Sequence, residues 1–201
     1  MNLSVPKFVG DLSDADAAVL ARYARRATRI LEFGVGGSTQ IFAQLAPNVT
    51  SIDTSQEWIK ITRARVSKLG ASNRVTFASY NAWSRGDHDQ RYDLVFVDGD
   101  PSLRGKFILR AWPLLCTGGI VLAHDTRKIR YIEDVLIPLL SRFHNEIQVV
   151  RLNVKASRKQ SSNITTIRKK ADEPYENWHV VEGKPRWRYG AERVPRDFWN
   201  R

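Results

Sequence analysis

Short apolar segments that alternate with amphipathic ones constrain the fold of this 201-residue chain more than any other feature. Apolar residues at strand-like density occur in TRILEFG, VTSID, RVTFAS, YDLVFVDGD and GGIVLAHD. Segments with helical spacing separate most of them. This alternation is typical of a parallel sheet wound with right-handed crossovers, with helices on both faces.

The helix predictions rest on capping residues and apolar spacing. Ser13 and Asp16 form a predicted capping box at the start of the first helix, and Pro47 follows the predicted helix STQIFAQLA. Further helices are predicted in SQEWIKITRARVSKLG, SLRGKFILRAWPLL and IRYIEDVLIPLLSRF. EIQVVRLNV and SSNITTIRKK read as two strands without a helix between them, so we expect one of the pair to run antiparallel.

The length is typical of one domain, which we place at residues 1–170. Residues 171–201 are rich in Trp, Pro and charge and lack a clear period, and we expect this extension to pack on the domain. No apolar run approaches the roughly 20 residues that cross a bilayer, and the first residues lack a secretory pattern. With a single cysteine, Cys116, the expected compartment is the cytoplasm.

Polar residues follow every predicted parallel strand, at the sheet edge where α/β proteins bind ligands. They are Glu32, Gly34, Gly36, Gly37, Ser38 and Thr39 after the first strand, Asp53 after the second, Asn81 after the third, Asp98 and Asp100 after the fourth, and His124 and Asp125 after the fifth. This convergence predicts a binding site at the carboxyl ends of the strands.

Each group has a chemical use at such a site. Gly34 and Gly36 permit a tight turn and a close ligand, and the helix that begins near Ser38 directs free N–H groups at an anion. Asp53 is suited to accept the hydroxyls of a ribose, and Asn81 offers a donor and an acceptor to an adenine edge. A dinucleotide-binding turn is less favoured, because Thr39 stands where its last glycine is expected.

The motifs LEFGVGGST, SIDTS, SYNAW, YDLVFVDGD and GGIVLAHDT resemble those of class I S-adenosylmethionine-dependent methyltransferases, over about residues 10–170. VDGD and HDT resemble the small-molecule O-methyltransferase branch. The resemblance implies a Rossmann-like, doubly wound sheet of seven strands with one antiparallel. The cofactor-binding residues it implies are Glu32, Gly34, Gly36, Ser38, Thr39, Asp53, Thr54, Asn81, Ala82 and Asp98, with Glu32 and Gly34 at the methionine part and Asp98 beside the transferred methyl group.

The predicted catalytic residues are His124, Asp98 and Asp125. His124 is a candidate general base, with Asp98 or Asp125 fixing its tautomer, and the alternative is a structural hydrogen bond to a loop carbonyl. Whether a metal takes part stays open. Asp98, Asp100 and Asp125 offer oxygen ligands for Mg²⁺. His124 and Pro101 depart from the pattern of metal-dependent relatives, and we do not favour the cation.

Two tryptophans flank the predicted cofactor loops. Trp58 and Trp83 are candidates for stacking on adenine, but we expect Trp58 to pack in the core.

The net charge of +11 indicates an acidic or phosphate-bearing partner, or simply a solvated surface. The predicted function is methylation of a hydroxyl, less favourably an amine, of a small molecule such as a sugar or secondary metabolite. Two alternatives stay open. They are a methyltransferase acting on RNA or another nucleic acid, and a non-catalytic protein that only binds the cofactor. The sequence does not predict an oligomeric state.

Overall fold

The computed structural model describes residues 12–125, 143–149, 162, 164–174, 179–181 and 184–186. The helices are α1 (Asp14–Ala24), α2 (Gly37–Leu45), α3 (Gln56–Lys68), α4 (Tyr80–Trp83) and α5 (Arg104–Ala111). The strands are β1 (Arg29–Phe33), β2 (Asn48–Asp53), β3 (Val75–Ser79), β4 (Tyr92–Val97), β5 (Leu115–His124), β6 (Phe143–Val149), β7 (Ile164–Pro174), β8 (His179–Val181) and β9 (Lys184–Arg186).

Strands β1 to β7 form one sheet in the order β3-β2-β1-β4-β5-β7-β6. Strands β1 to β5 pair in parallel, whereas β7 is antiparallel to both of its neighbours, β5 and β6. The prediction of a mostly parallel, Rossmann-like sheet with one antiparallel strand is therefore confirmed, including the expected antiparallel pairing of the final two segments.

The predicted extension has some regular structure of its own, because β8 and β9 form a short antiparallel pair. Strand β7 continues past residue 170 to Pro174. The division of the chain at residue 170 remains a prediction. The predicted helix IRYIEDVLIPLLSRF falls mainly on residues 126–142, outside the described residues. Among the helices that the structure describes, none combines the length and the apolarity needed to cross a membrane.

Side chains alternate between the two faces of the sheet and build two apolar cores. Leu31, Val95 and Val121 point to one face, where they join Phe107 and Ile108 of α5. Ile30, Leu94 and Leu122 point to the other face, where they join residues of α1 and α2. Each such fully buried side chain stabilises the fold by about 1.5–3 kcal/mol. The prediction of helices on both faces is confirmed.

Helix α1 begins at the predicted capping box. The Asp16 amide donates to Ser13 Oγ over 3.1 Å, and the Ser13 amide donates to Asp16 Oδ2 over 3.3 Å. These bonds satisfy N–H groups that lack partners within the helix. Asp16 is only 2% exposed, because α1 lies against the sheet through Ala17, Leu20 and Ala24.

The strand order reverses between β1 and β4. From β1 the chain proceeds outwards to β2 and β3, whereas β4 lies on the opposite side of β1 and leads to β5. The loops that follow β1 and β4 therefore separate above the sheet and leave a crevice, which is where open α/β sheets bind ligands. The fold thus places the predicted strand-end residues around one opening.

Candidate cofactor-binding and active site

A cavity of about 560 Å³ opens at the carboxyl edge of the sheet, between β1, β2 and β4. This volume is in the range of sites for drug-sized ligands. Its walls are Leu12, Gly34, Val35, Gly36, Gly37, Ser38, Asp53, Thr54, Ser55, Trp58, Arg65, Asp98, Gly99, Asp100, Pro101 and Arg104. Six of the ten predicted cofactor-binding residues are in this lining: Gly34, Gly36, Ser38, Asp53, Thr54 and Asp98.

Gly34 brings the loops after β1 and β4 into direct contact. Its φ is +98°, and a Cβ built on it would lie 2.4 Å from the Gly99 amide nitrogen. Its own amide donates to the Ile52 carbonyl over 2.8 Å, which ties the loop to β2 as well. Only glycine fits here, because both the backbone conformation and the available space exclude a side chain.

Gly36 meets a different requirement. A Cβ there would meet no atom within 4 Å, yet Gly36 lines the cavity. Its amide donates to Thr39 Oγ1 over 2.9 Å, which holds the turn at the start of α2. The free N–H groups of the first turn of α2 make this end favourable for an anionic group. The open space at Gly36 therefore suits a ligand that lies against the backbone.

Glu32 lies beneath this turn and is fully buried, so it does not form part of the cavity wall. Its Oε1 accepts from Ser38 Oγ over 2.5 Å, and its Oε2 accepts from Thr39 Oγ1 over 2.7 Å and from Ser51 Oγ over 2.6 Å. Ser51 is the cross-strand neighbour of Glu32 in the register of β1 and β2. The carboxylate thus organises the loop from below.

No cation contacts the Glu32 carboxylate among these partners. Burial raises its pKa from 4.5 to about 7, even though the hydroxyl groups of Ser38, Ser51 and Thr39 oppose that rise and Asp98 adds to it. A buried carboxylate held only by neutral donors keeps an appreciable cost of ionisation. Glu32 is consequently poised to change its proton occupancy near neutral pH.

Asp53 is half-buried and extends from the end of β2 towards the Gly34–Ser38 loop. Its Oδ2 accepts from the Val35 amide over 2.9 Å, and its Oδ1 accepts from the Ser55 amide over 2.8 Å. Each oxygen keeps a further lone pair that can accept from a ligand. The two backbone bonds fix the carboxylate in the cavity wall, and its contact with a ribose stays a prediction.

Asn81 and Ala82 are exposed in α4 and do not line the cavity. Helix α4 is capped by Ser79, whose Oγ accepts from the Ala82 amide over 3.2 Å. An adenine contact by Asn81 remains a prediction.

The two tryptophans that flank the predicted cofactor loops occupy contrasting environments. Trp58 is 51% exposed and lies on the cavity rim, so the predicted core packing is wrong. Helix α3 buries Ile59, Thr62 and Val66 instead, and that stripe turns Trp58 outwards. Trp83 is 7% exposed and packs edge-on against Phe33, with ring centroids 5.1 Å apart, so it belongs to the core.

Asp98 and His124 meet across the ends of β4 and β5. His124 is 6% exposed, and its Nδ1 lies 2.8 Å from Asp98 Oδ1 while its Nε2 lies 3.3 Å from Asp16 Oδ2. The alternation along β5 turns His124 to the same face as Leu122, which is the face that α1 covers. Ser162 also donates to Asp16, over 2.8 Å.

Both carboxylates favour the protonated ring of His124. Burial by itself lowers the pKa, but the hydrogen bonds and charges of Asp16 and Asp98 outweigh it and raise the pKa of His124 to about 10. At neutral pH both ring nitrogens therefore carry protons, and neither has a lone pair for a substrate proton. The structure thus shows His124 between two carboxylates, and its role as general base or as a structural donor stays a prediction.

Asp125 and Arg104 complete this group. Arg104 begins α5 and is 5% exposed. Its Nη2 lies 3.2 Å from Asp98 Oδ1 and its Nη1 lies 3.5 Å from Asp125 Oδ2. Asp125 has a φ of +60°, an uncommon conformation that Asp tolerates better than most residues. We call Asp98, Arg104, His124 and Asp125 the β4–β5 cluster.

The predicted metal ligands are only partly brought together. Ligand atoms of Asp98, His124 and Asp125 lie within 4.8 Å of one another, as a metal site requires. Asp100 is not in that group, because its Oδ1 accepts from the amide and hydroxyl of Ser102, which lower its pKa. Since Arg104 also contacts both carboxylates of the group, the donor set does not fit a divalent cation.

Three residues of the site escaped the sequence analysis as functional candidates. Asp16 was explained by its capping role alone, Ser51 is one hydroxyl within a strand, and Arg104 reads as one more basic residue of a helix. Only the register of β1 with β2 could have indicated Ser51. Neither Asp16 nor Arg104 has a local pattern that points to its partners.

Comparisons with known proteins agree with this geometry. Residues 31–126 match a family model described as a methyltransferase domain. A curated protein of Mycobacterium sp. (strain JLS), described as "Putative O-methyltransferase", is 29% identical over 125 residues. The aligned segment covers 57% of this chain and 57% of that protein, so the chain spans little more than half of the relative.

Solved structures of similar fold include the O-methyltransferase TomG of Streptomyces achromogenes in complex with SAM, with a TM-score of 0.65 and 18% identity. That match covers 76% of this chain and 78% of TomG. The O-methyltransferase of Bacillus cereus in complex with SAH matches with a TM-score of 0.63 and 18% identity, over 82% of this chain and 84% of that one. The predicted class I methyltransferase fold is confirmed, and residues 31–126 are the part of the chain that is similar to a methyltransferase domain.

Proposed function

We propose that this chain transfers a methyl group from S-adenosylmethionine to a hydroxyl group of a small molecule. The observation that carries the proposal is the cavity at the reversal of strand order, where Gly36, Asp53 and Asp98 meet in one wall. TomG and the Bacillus cereus enzyme, which have this fold, were crystallised with SAM and SAH respectively. The acceptor class remains the predicted one, a sugar or another hydroxylated metabolite.

The residues of this wall suit the parts of that cofactor. Asp53 accepts the ribose hydroxyls with the lone pairs left by Val35 and Ser55. The amino end of α2 receives the carboxylate of the methionine part, and the absent side chain at Gly36 lets it approach. Glu32 acts indirectly, since it holds Ser38 and Thr39 in place and lies outside the cavity wall.

The bound cofactor supplies a methyl group on a positively charged sulfur, and transfer breaks the S–C bond, forms an O–C bond and releases the hydroxyl proton. Asp98 faces the cavity, and its bonds to His124 and Arg104 both use Oδ1. Among the described residues none is hydrogen-bonded to Oδ2. Asp98 Oδ2 accepts a hydrogen bond from the acceptor hydroxyl and then receives its proton. The in-line orientation of the reacting atoms lowers the activation barrier of the transfer.

The β4–β5 cluster then has a positioning role. His124 and Arg104 hold Asp98 Oδ1, so that Oδ2 remains directed at the acceptor. Asp125 balances the charge of Arg104. The predicted catalytic set is thereby retained with altered roles, in which Asp98 touches the acceptor and His124 and Asp125 act through it.

Calorimetric titration with S-adenosylmethionine and S-adenosylhomocysteine tests the proposal. The Asp53→Ala variant should bind at least about 100-fold more weakly, since two charge-assisted hydrogen bonds to the ribose are lost. Asp93→Ala is the matched control, because Asp93 Oδ2 likewise accepts two backbone amides, those of Thr28 and Arg29, at the opposite edge of the sheet.

Unchanged affinity in Asp53→Ala would contradict the ribose assignment, as would an equal loss in Asp93→Ala. Transfer of a labelled methyl group to a panel of sugars and phenols tests the reaction itself. Binding of RNA that weakens steeply with salt, with methylation of that RNA, would instead support the nucleic-acid alternative.

A further inference from the structure

The Arg104 side chain spans the ends of β4 and β5 and is almost completely buried. Its Nε donates to the Gly99 carbonyl over 3.0 Å, and its Nη2 donates to the Asp98 carbonyl over 3.0 Å. Its Nη1 donates to the His124 carbonyl over 3.2 Å. These three carbonyl groups fix the guanidinium in one orientation, in addition to its contacts with the Asp98 and Asp125 carboxylates.

This guanidinium contacts both carboxylates of the group that could otherwise hold a divalent cation. Asp98, His124 and Asp125 each place a potential ligand atom within 4.8 Å of the others. Asp98 Oδ1 already has two donors, from Arg104 and His124, and the two nitrogens of His124 each face a carboxylate. A cation would have to break these bonds beside a guanidinium that never loses its charge in proteins.

We propose that Arg104 supplies the fixed positive charge that a divalent cation would bring to Asp98 and Asp125, so that this chain binds no metal there and works without one. The catalytic part rests on the proposed methyltransferase function, whereas the metal-binding part does not. Arg104 lines the cavity, so its charge also reaches the acceptor side of Asp98. Unlike a metal ion, this charge cannot be removed by a chelator or exchanged for another ion.

Manganese binding, followed by electron paramagnetic resonance, tests the proposal on the protein without any substrate. The unsubstituted chain should show no saturable Mn²⁺ binding up to about 1 mM, the weak end of protein sites for such hard cations. Arg104→Ala leaves the Asp98 and Asp125 carboxylates without the guanidinium, and should bind Mn²⁺ at least about 10-fold more tightly. Arg104→Lys should stay close to the unsubstituted chain, because it keeps the charge.

Arg110→Ala is the matched control, since Arg110 lies on the same helix, is exposed, and donates to the Ser84 carbonyl. It should leave Mn²⁺ binding unchanged. Stoichiometric binding of Mn²⁺ by the unsubstituted chain would overturn the proposal, and this measurement needs no variant to fold. A folded Arg104→Ala variant, checked by circular dichroism, that gained no affinity would overturn it as well.

The activity measurement separates this inference from the proposed function. Methyl transfer should keep its full rate after dialysis against a chelator, and added Mg²⁺ should change it less than about 2-fold. Loss of the rate on chelation, with recovery on addition of Mg²⁺, would overturn the role of Arg104. Failure to bind S-adenosylmethionine at all would contradict the proposed function, and the Mn²⁺ titrations would still decide the metal-binding part.

Discussion

The two sides of the cavity hold their carboxylates in contrasting ways. On the β1–β2 side, Glu32 is fully buried and receives only hydroxyl groups, those of Ser38, Thr39 and Ser51. On the β4–β5 side, Asp98 and Asp125 are partly exposed and contact the cationic Arg104, and Asp98 also contacts His124. Gly34 and Gly99 join the two sides by direct backbone contact.

This contrast separates two tasks by electrostatics. A buried carboxylate with neutral partners ionises only at a cost, so the proton occupancy of Glu32 changes near pH 7. The carboxylates of Asp98 and Asp125 already contact cationic side chains, so they attract a further cation only weakly. In the proposed function, the first side holds the cofactor and the second side holds the hydroxyl acceptor.

The contact that joins the two sides is the most vulnerable point. Gly34→Ala should lower the free energy of unfolding by roughly 3–4 kcal/mol, because its Cβ would clash with Gly99 and the residue must adopt a positive φ. Gly70→Ala is the control, since Gly70 also has a positive φ, +67°, but its Cβ would meet no atom within 4 Å. It should cost about 1 kcal/mol. Equal losses in chemical denaturation would show that the Gly34–Gly99 contact is unimportant.

The hydroxyl-bound side should make stability depend on pH. The folded chain keeps a proton on Glu32 up to about pH 7, whereas the unfolded chain releases it near the ordinary pKa of 4.5. The folded state therefore binds more protons between these values, and stability should fall by about 3 kcal/mol as pH rises from 4.5 to 7. Denaturation at both ends of this interval measures the change.

Glu32→Gln should largely remove that decrease, because the amide has no proton to lose in this interval. Glu57→Gln, at an exposed position of α3, should leave the decrease unchanged. A decrease of the same size in Glu32→Gln would assign the titration to another group.

On the cation-bound side, the expected effect of pH on the rate of methyl transfer is the smallest of these expected effects. His124 should remain protonated at pH 8, as judged by the ring resonances in NMR, because the carboxylates of Asp16 and Asp98 raise its pKa to about 10. The stability that it contributes is complete below pH 6.5, falls as pH rises above 6.5, and is lost once pH has risen through about 10. The rate of methyl transfer should therefore show no inflection near pH 6.5 from this residue.

His124→Gln should lower that rate by about 10-fold or less at every pH between 6 and 8, through poorer positioning of Asp98. An inflection near pH 6.5 that vanished in this variant would restore His124 as the general base.

Local patterns determined much of the site in advance. The capping box at Ser13, the strand-end Asp53 and Asp98, and the loop glycines all follow from short-range rules, because strand alternation and parallel winding bring carboxyl ends to one edge. The environment of individual side chains was harder to predict. Trp58 is exposed on α3 and Trp83 is buried on α4, because the packing of each helix on the sheet decides which of its side chains is covered.

What the sequence by itself determined is the order of strands and helices and the set of polar residues at the strand ends, since both depend on neighbours close along the chain. Only the tertiary structure decided how those residues are charged and bonded. Asp16 on α1 contacts His124, 108 positions further along the chain, and Arg104 on α5 contacts Asp98 and Asp125, which follow β4 and β5. The protonation of a buried group depends on every charge within a few ångströms, and folding brings those charges together from distant parts of the chain.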